Sequence, residues 1–167
     1  LVLLLLARED VPLLTCFLGL YVLMNRRSRD LGLLTISILI VYFVAVRLFI
    51  MTAAGEDAQS YAYYYSDLIP EGGGPASLLV SVITNPPFTI QRVLSPPKLL
   101  WLATMYVPVM FLPLLAPRGK ILMVYGLAVI LLASRSAVYS VHFQYTSILY
   151  PAIFVLVLIA LAGLREN

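Results

Sequence analysis

The chain has 167 residues, of which 62% are hydrophobic and only 11% charged, with a formal net charge of +3 at pH 7. Soluble domains carry about 45–50% apolar and about 25% charged residues, so these side chains cannot clothe a water-soluble fold, and lipid is the implied solvent. The positive charge is too small and too dispersed for a nucleic-acid surface, so no nucleic-acid partner is expected. Cys16 is the only cysteine, which rules out an internal disulfide or thiolate metal cluster.

Apolar segments follow one another along the chain. Leu1–Ala7 has neither an initiator Met nor a basic region before it, so it reads as the interior of a helix and the chain as the later portion of a longer protein. Val11–Met24 follows Arg8-Glu9-Asp10, with Asp10 as an acidic N-cap and Pro12 in the first turn. The next segment, Leu31 to about Ala54, is long enough to span by itself, since roughly 20 residues cross the hydrocarbon. Leu99–Ala116 forms a fourth, preceded by Ser95-Pro96-Pro97. A fifth starts at Ile121 and stops near Ala133 or continues to Val141, and the sixth is Ile148–Leu164. The connection from Gly55 to Lys98 holds two apolar stretches too short to span, Pro75–Thr84 and Pro86–Leu94. They read as helices lying at the interface, with Asn85 capping the second. The expected fold is all-α: one transmembrane domain over residues 1–167, with about five to six membrane segments.

Orientation follows from lysine and arginine in the short loops. Arg26, Arg27, Arg29, Arg118, Lys120 and Arg165 abut helix ends and fall on one side when spans alternate, which makes that side cytoplasmic. Residues 55–98 and 134–146 then face outward across the inner (plasma) membrane. Six of the eight acids, Glu9, Asp10, Glu56, Asp57, Asp67 and Glu71, share the outward side.

Several polar groups there are candidates for chemistry. Arg8-Glu9-Asp10 is either a helix-hairpin cap or a site in which Arg8 binds an anion and a carboxylate manages protons. Arg47 lies inside the third segment, where snorkelling to headgroups is one reading and a partner such as Glu9 or Asp10 the other. Ser134–Tyr145 is the densest polar-aromatic stretch and contains the only histidine, His142, so Arg135, His142 and Tyr145 suit a polar headgroup such as a lipid-linked phosphate. Tyr61, Tyr63, Tyr64 and Tyr65 read as an interfacial belt, although sugars also stack on such faces. No P-loop, dinucleotide-binding glycine pattern or zinc spacing is present.

The run Ala7-Arg8-Glu9-Asp10-Val11-Pro12-Leu13-Leu14, with Gly19-Leu20-Tyr21 and a basic turn after it, resembles the membrane-protein family known as domain of unknown function 2079. Pro108–Pro117, His142-Phe143-Gln144-Tyr145 and Pro151-Ala152-Ile153-Phe154 extend the resemblance. The family usually has His-Tyr or a close variant before the final helix; here Phe143-Gln144 separates His142 from Tyr145. The family is similar to the GT-C class of membrane glycosyltransferases, which use polyprenyl-phosphate sugars. That resemblance implies sugar transfer from a polyprenyl-phosphate donor outside the cytoplasm, in the membrane lipid. Arg8, Arg135 and His142 would neutralise the departing phosphate, and Glu9 or Asp10 would orient an acceptor or a phosphate bound to a divalent cation. The competing readings are a non-catalytic scaffold or accessory subunit of a membrane-protein complex and a lipid or solute transporter, the latter predicting polar residues near the bilayer midplane.

Overall fold

The computed structural model describes residues 11–25, 28–51, 63–70 and 73–166. The segment Leu1–Ala7 and the triplet Arg8-Glu9-Asp10 lie outside these residues, as does Tyr61. Among the described residues there are seven α-helices and no strand. They are α1 (Val11–Met24), α2 (Arg29–Ala45), α3 (Pro75–Thr84), α4 (Pro86–Val93), α5 (Pro96–Tyr106), α6 (Ile121–Leu131) and α7 (Tyr150–Glu166). α2 continues as a π-helix over Val46–Met51, which contains the backbone of Arg47.

Local chemistry accounts for the boundaries. α4 and α5 each open on two prolines, whose fixed φ suits a first turn and whose missing N–H would have had no helical partner there. Asn85 caps α4, its Oδ1 accepting the Phe88 amide at 3.4 Å. Ser95 occupies the N-cap of α5 without a side-chain bond; its carbonyl accepts from the Lys98 and Leu99 amides at 3.0 Å each. Both short stretches of the long connection are therefore helical, the second ending at Val93, one residue before the expected Leu94.

The apolar stretch Leu99–Ala116 is not one continuous helix. α5 stops at Tyr106, because Pro108 has no N–H to offer and the ring of Pro113 would clash with the carbonyl four residues back. The chain turns through Met110 and Phe111, both left-handed with φ of 48° and 56°, then resumes as a 3₁₀ turn over Leu112–Leu115. For residues with a Cβ, that conformation costs roughly 1–2 kcal/mol each. The Phe111 amide closes the turn on the Tyr106 carbonyl at 3.0 Å, and their rings stack at 6.3 Å.

The core runs through α5, α6 and α7, where Trp101, Tyr106, Met123, Ile130, Leu149, Ile153 and Leu156 pack together. α1 lies chiefly against α2 and also against α6. α1 and α2 meet at glycines: a Cβ on Gly32 would stand 2.6 Å from Leu23 Cγ and 3.0 Å from the Gly19 carbonyl oxygen. Small residues that admit such close backbone approach are what helices packing in lipid require.

The outward faces are apolar. Val41, Leu100 and Leu158 are each about 70% exposed, and long apolar side chains on α2, α3, α5 and α7 stand out beside them. Among the described residues one helical stretch, Gln144–Arg165 at 22 residues, is long and apolar enough to cross a membrane. It joins a 3₁₀ turn over Gln144–Ile148 to α7. α1 and α6 are as apolar but shorter, with 14 and 11 residues.

Candidate functional site

The C-terminal end of α6 organises the site. A helix leaves its last four carbonyls unpaired, and in a setting without water each needs a donor. Here all four have one. Leu132 N–H donates to Ala128 O at 3.1 Å and Ala133 N–H to Ile130 O at 3.3 Å. Tyr65 Oη donates to Val129 O at 3.2 Å, and Lys98 Nζ to Leu131 O at 2.6 Å. Two distant side chains thus let the helix stop at Leu131, the earlier of the two ends the sequence allowed, and the polar stretch from Ser134 leaves as loop.

Lys98 is only 4% exposed. Its ammonium also lies 5.4 Å from the Tyr139 ring centroid. Burial pulls its pKa below the ordinary lysine range; the Arg92 charge adds to that and the Asp67 carboxylate opposes it. Asp67 Oδ2 and Arg92 pair at 3.3 Å, both partly exposed, a pair worth little by itself.

The turn at residues 63–70 docks on this end. Leu68 and Ile69 are buried. Ser134 N–H donates to Tyr64 O at 2.7 Å, and Ser134 Oγ accepts from the Asp67 amide at 2.9 Å. Tyr63 and Tyr64 then meet Arg135. The guanidinium carbon lies 4.2 Å from the Tyr63 ring centroid, and Nε donates to the Tyr63 carbonyl at 3.4 Å. An arginine stacked in this way has its orientation set while its Nη hydrogens remain for an anion.

Ser140 shapes the other wall. Its Oγ accepts the His142 amide at 3.3 Å, and its carbonyl accepts both the Phe143 amide at 3.2 Å and the hydroxyl of fully buried Thr146 at 2.9 Å. Tyr145 is held across the cavity by Tyr64, their hydroxyls 2.8 Å apart and their rings 5.6 Å apart. Arg135, His142 and Tyr145 accordingly line one cavity of about 580 Å³, together with Tyr63, Tyr64 and Gln144. That volume falls within the roughly 300–1,000 Å³ of small-molecule sites. A donor-rich guanidinium, an imidazole, an amide and three phenols around one open space can grip an oxyanion bearing hydroxyls.

A double-mutant cycle on Tyr64→Phe and Tyr145→Phe is expected to show a coupling energy of about 1 kcal/mol in thermal unfolding. Strict additivity would mean that the hydroxyl pair does not hold this wall.

Arg8, Glu9 and Asp10 lie outside the described residues, and so does the side chain of Arg47. Among the described residues no three of His, Cys, Asp and Glu gather into a metal-ligand set. In the sequence, Lys98 and Asp67 count only among the charges of the outward side, and Tyr65 and Ser134 have no legible part in closing the end of α6. Lys98 was legible only as a charge, although a lysine placed after two prolines and before an apolar run already marks a helix edge.

A helical fold with apolar residues facing outward, and a stretch of membrane-crossing length, defines an α-helical membrane protein. The chain belongs to the family described as "Predicted membrane protein (DUF2079)", whose model matches residues 1–166. No curated protein and no solved structure matches it.

Proposed function

We propose that this protein is a multi-pass, glycosyltransferase-like membrane protein that binds a polyprenyl-phosphate-linked sugar in the Arg135 cavity, on the extracytoplasmic side. The observation that carries this reading is the Arg135 guanidinium, stacked on Tyr63 beside His142, Gln144 and Tyr145. Its Nη donors match phosphate oxygens, and the tyrosine faces match a sugar ring. In the transfer, the acceptor oxygen bonds to the anomeric carbon while the bond from that carbon to the phosphate oxygen breaks. The phosphate leaves with the electron pair, which Arg135 and His142 stabilise. The acceptor's proton goes to a carboxylate, for which Glu9 and Asp10 are the candidates. The apolar outward faces of the helices support the multi-pass arrangement, with about five to six membrane segments, and the basic helix-end loops support their cytoplasmic placement.

The test is polyprenyl-phosphate binding to the protein in lipid nanodiscs, measured by native mass spectrometry. Arg135→Ala is expected to weaken binding roughly tenfold or more, and His142→Ala to weaken it less, with insertion and melting temperature retained. Wild-type affinity in both variants would overturn the reading.

A further inference from the structure

A second cavity of about 560 Å³ opens on the same turn. Tyr63 and Tyr64 of that turn serve the first cavity; Ser66 and Asp67, two residues further on, line the second, where α3 supplies Ser81 and Thr84, α4 supplies Phe88 and the cap between them is Asn85. The two linings differ in charge. The first holds Arg135 and His142, whereas the second has a carboxylate and no cation among its lining residues. Arg92 is spent on Asp67 at 3.3 Å and on the Phe88 ring at 5.2 Å. The Asp67 charge is thus balanced by Arg92, the lining itself carries no cation to hold a phosphate, and a neutral ligand is favoured.

The hydrogen-bonding groups narrow the class. Asp67 Oδ2 is engaged by Arg92, so Oδ1 can accept from a hydroxyl. Thr84 Oγ1 donates its proton to Val80 O at 2.8 Å and presents lone pairs. Asn85 commits its oxygen to the Phe88 amide at 3.4 Å and keeps two N–H donors. Ser66 and Ser81 add hydroxyls of either sense. Acceptors and donors sharing one cavity with an aromatic ring are what a neutral, hydroxyl-rich sugar uses on both sides of each hydroxyl. The geometry points to a second, carbohydrate-binding site in this cavity, formed by Ser66, Asp67, Ser81, Thr84 and Asn85, that takes the neutral glycan end of the acceptor. The acceptor role rests on the donor reading of the Arg135 cavity; the binding of sugar in this cavity does not.

The probe is a set of three neutral sugars, methyl α-D-glucoside, methyl α-D-mannoside and methyl β-D-galactoside, at millimolar concentration. Saturation-transfer NMR is recorded on the protein in nanodiscs free of sugar-based detergent. Wild type is expected to transfer saturation to at least one of them. Ser81→Leu fills the cavity from an exposed helix without loss of helix propensity, and Asp67→Ala removes the acceptor carboxylate. A loss of about tenfold in apparent affinity in either variant supports the site. Survival of the signal in both variants, or no transfer from any of the three sugars to wild type, overturns it. Arg135→Ala separates the two sites. It should keep the glycoside signal while losing polyprenyl-phosphate, and if wild type binds glycoside but no polyprenyl-phosphate, the donor reading fails and the sugar site stands.

Discussion

Gly32→Val is expected to destabilise the folded protein by about 1–3 kcal/mol, the range seen when extra carbon is forced into a packed interface. The Cβ would meet the Leu23 side chain at 2.6 Å and 2.9 Å and the Gly19 carbonyl oxygen at 3.0 Å. Leu23 can rotate away, but the Gly19 carbonyl belongs to the backbone of α1 and can yield only if the two helices separate. Because lipid solvates leucine as well as a protein interior does, contact between α1 and α2 depends on close van der Waals fit, and separation forfeits it. Thermal unfolding of the detergent-solubilised protein measures the effect. Gly163→Ala is the control, since nothing lies within 4 Å of an added Cβ there, and it should melt at or slightly above wild type. If Gly32→Val melted with wild type, the close crossing would not be a source of stability.

Lys98→Met is expected to cost about 1–3 kcal/mol, because the Leu131 carbonyl loses its donor while the side-chain volume is kept. The pH dependence is the more specific signature. Burial lowers the Lys98 pKa in the folded chain, so between that lowered value and the ordinary value of about 10.4 the unfolded chain holds more protons. Stability therefore rises with pH across this window as the buried ammonium loses its proton, and the neutral amine still donates to Leu131 O. Below the folded pKa the penalty for the charge is constant. Melting temperatures of wild type and variant at pH 7, 8.5 and 10 should consequently diverge toward alkaline pH, wild type gaining the more. A constant difference would remove the buried ammonium from the account.

Much of the secondary structure could be read from pattern alone. Proline pairs at residues 86–87 and 96–97, the Asn85 cap and the polar break after Leu132 are local signals, and the helices begin and end on them. The Arg135–Tyr145 stretch was also legible, because its polar and aromatic density is local. The break after Tyr106 had its signal in Pro108 and Pro113, but apolar composition outweighed it in the reading of one continuous span. What the sequence could not yield is proximity across long separations. Tyr64 and Tyr145 are 81 positions apart, Arg135 and Tyr63 72, and Lys98 and Leu131 33. No periodicity encodes those pairings. They arise because the end of α6 demands donors and the buried residues Leu68 and Ile69 pin the turn that supplies one of them.

The brevity of α5 and α6 bears on the surrounding lipid. Eleven residues of helix measure about 16 Å, roughly half the thickness of a hydrocarbon core. A helix of that length cannot cross a bilayer of ordinary thickness alone, so the remaining distance would fall to the turns at its ends or to a locally thinned leaflet. α6 ends four residues before Arg135, so any such thinning would fall beside the Arg135 cavity. On the donor reading of that cavity, a headgroup carried on a long isoprenoid tail would then reach the guanidinium through the thinned leaflet, and its tail would never have to leave the oil.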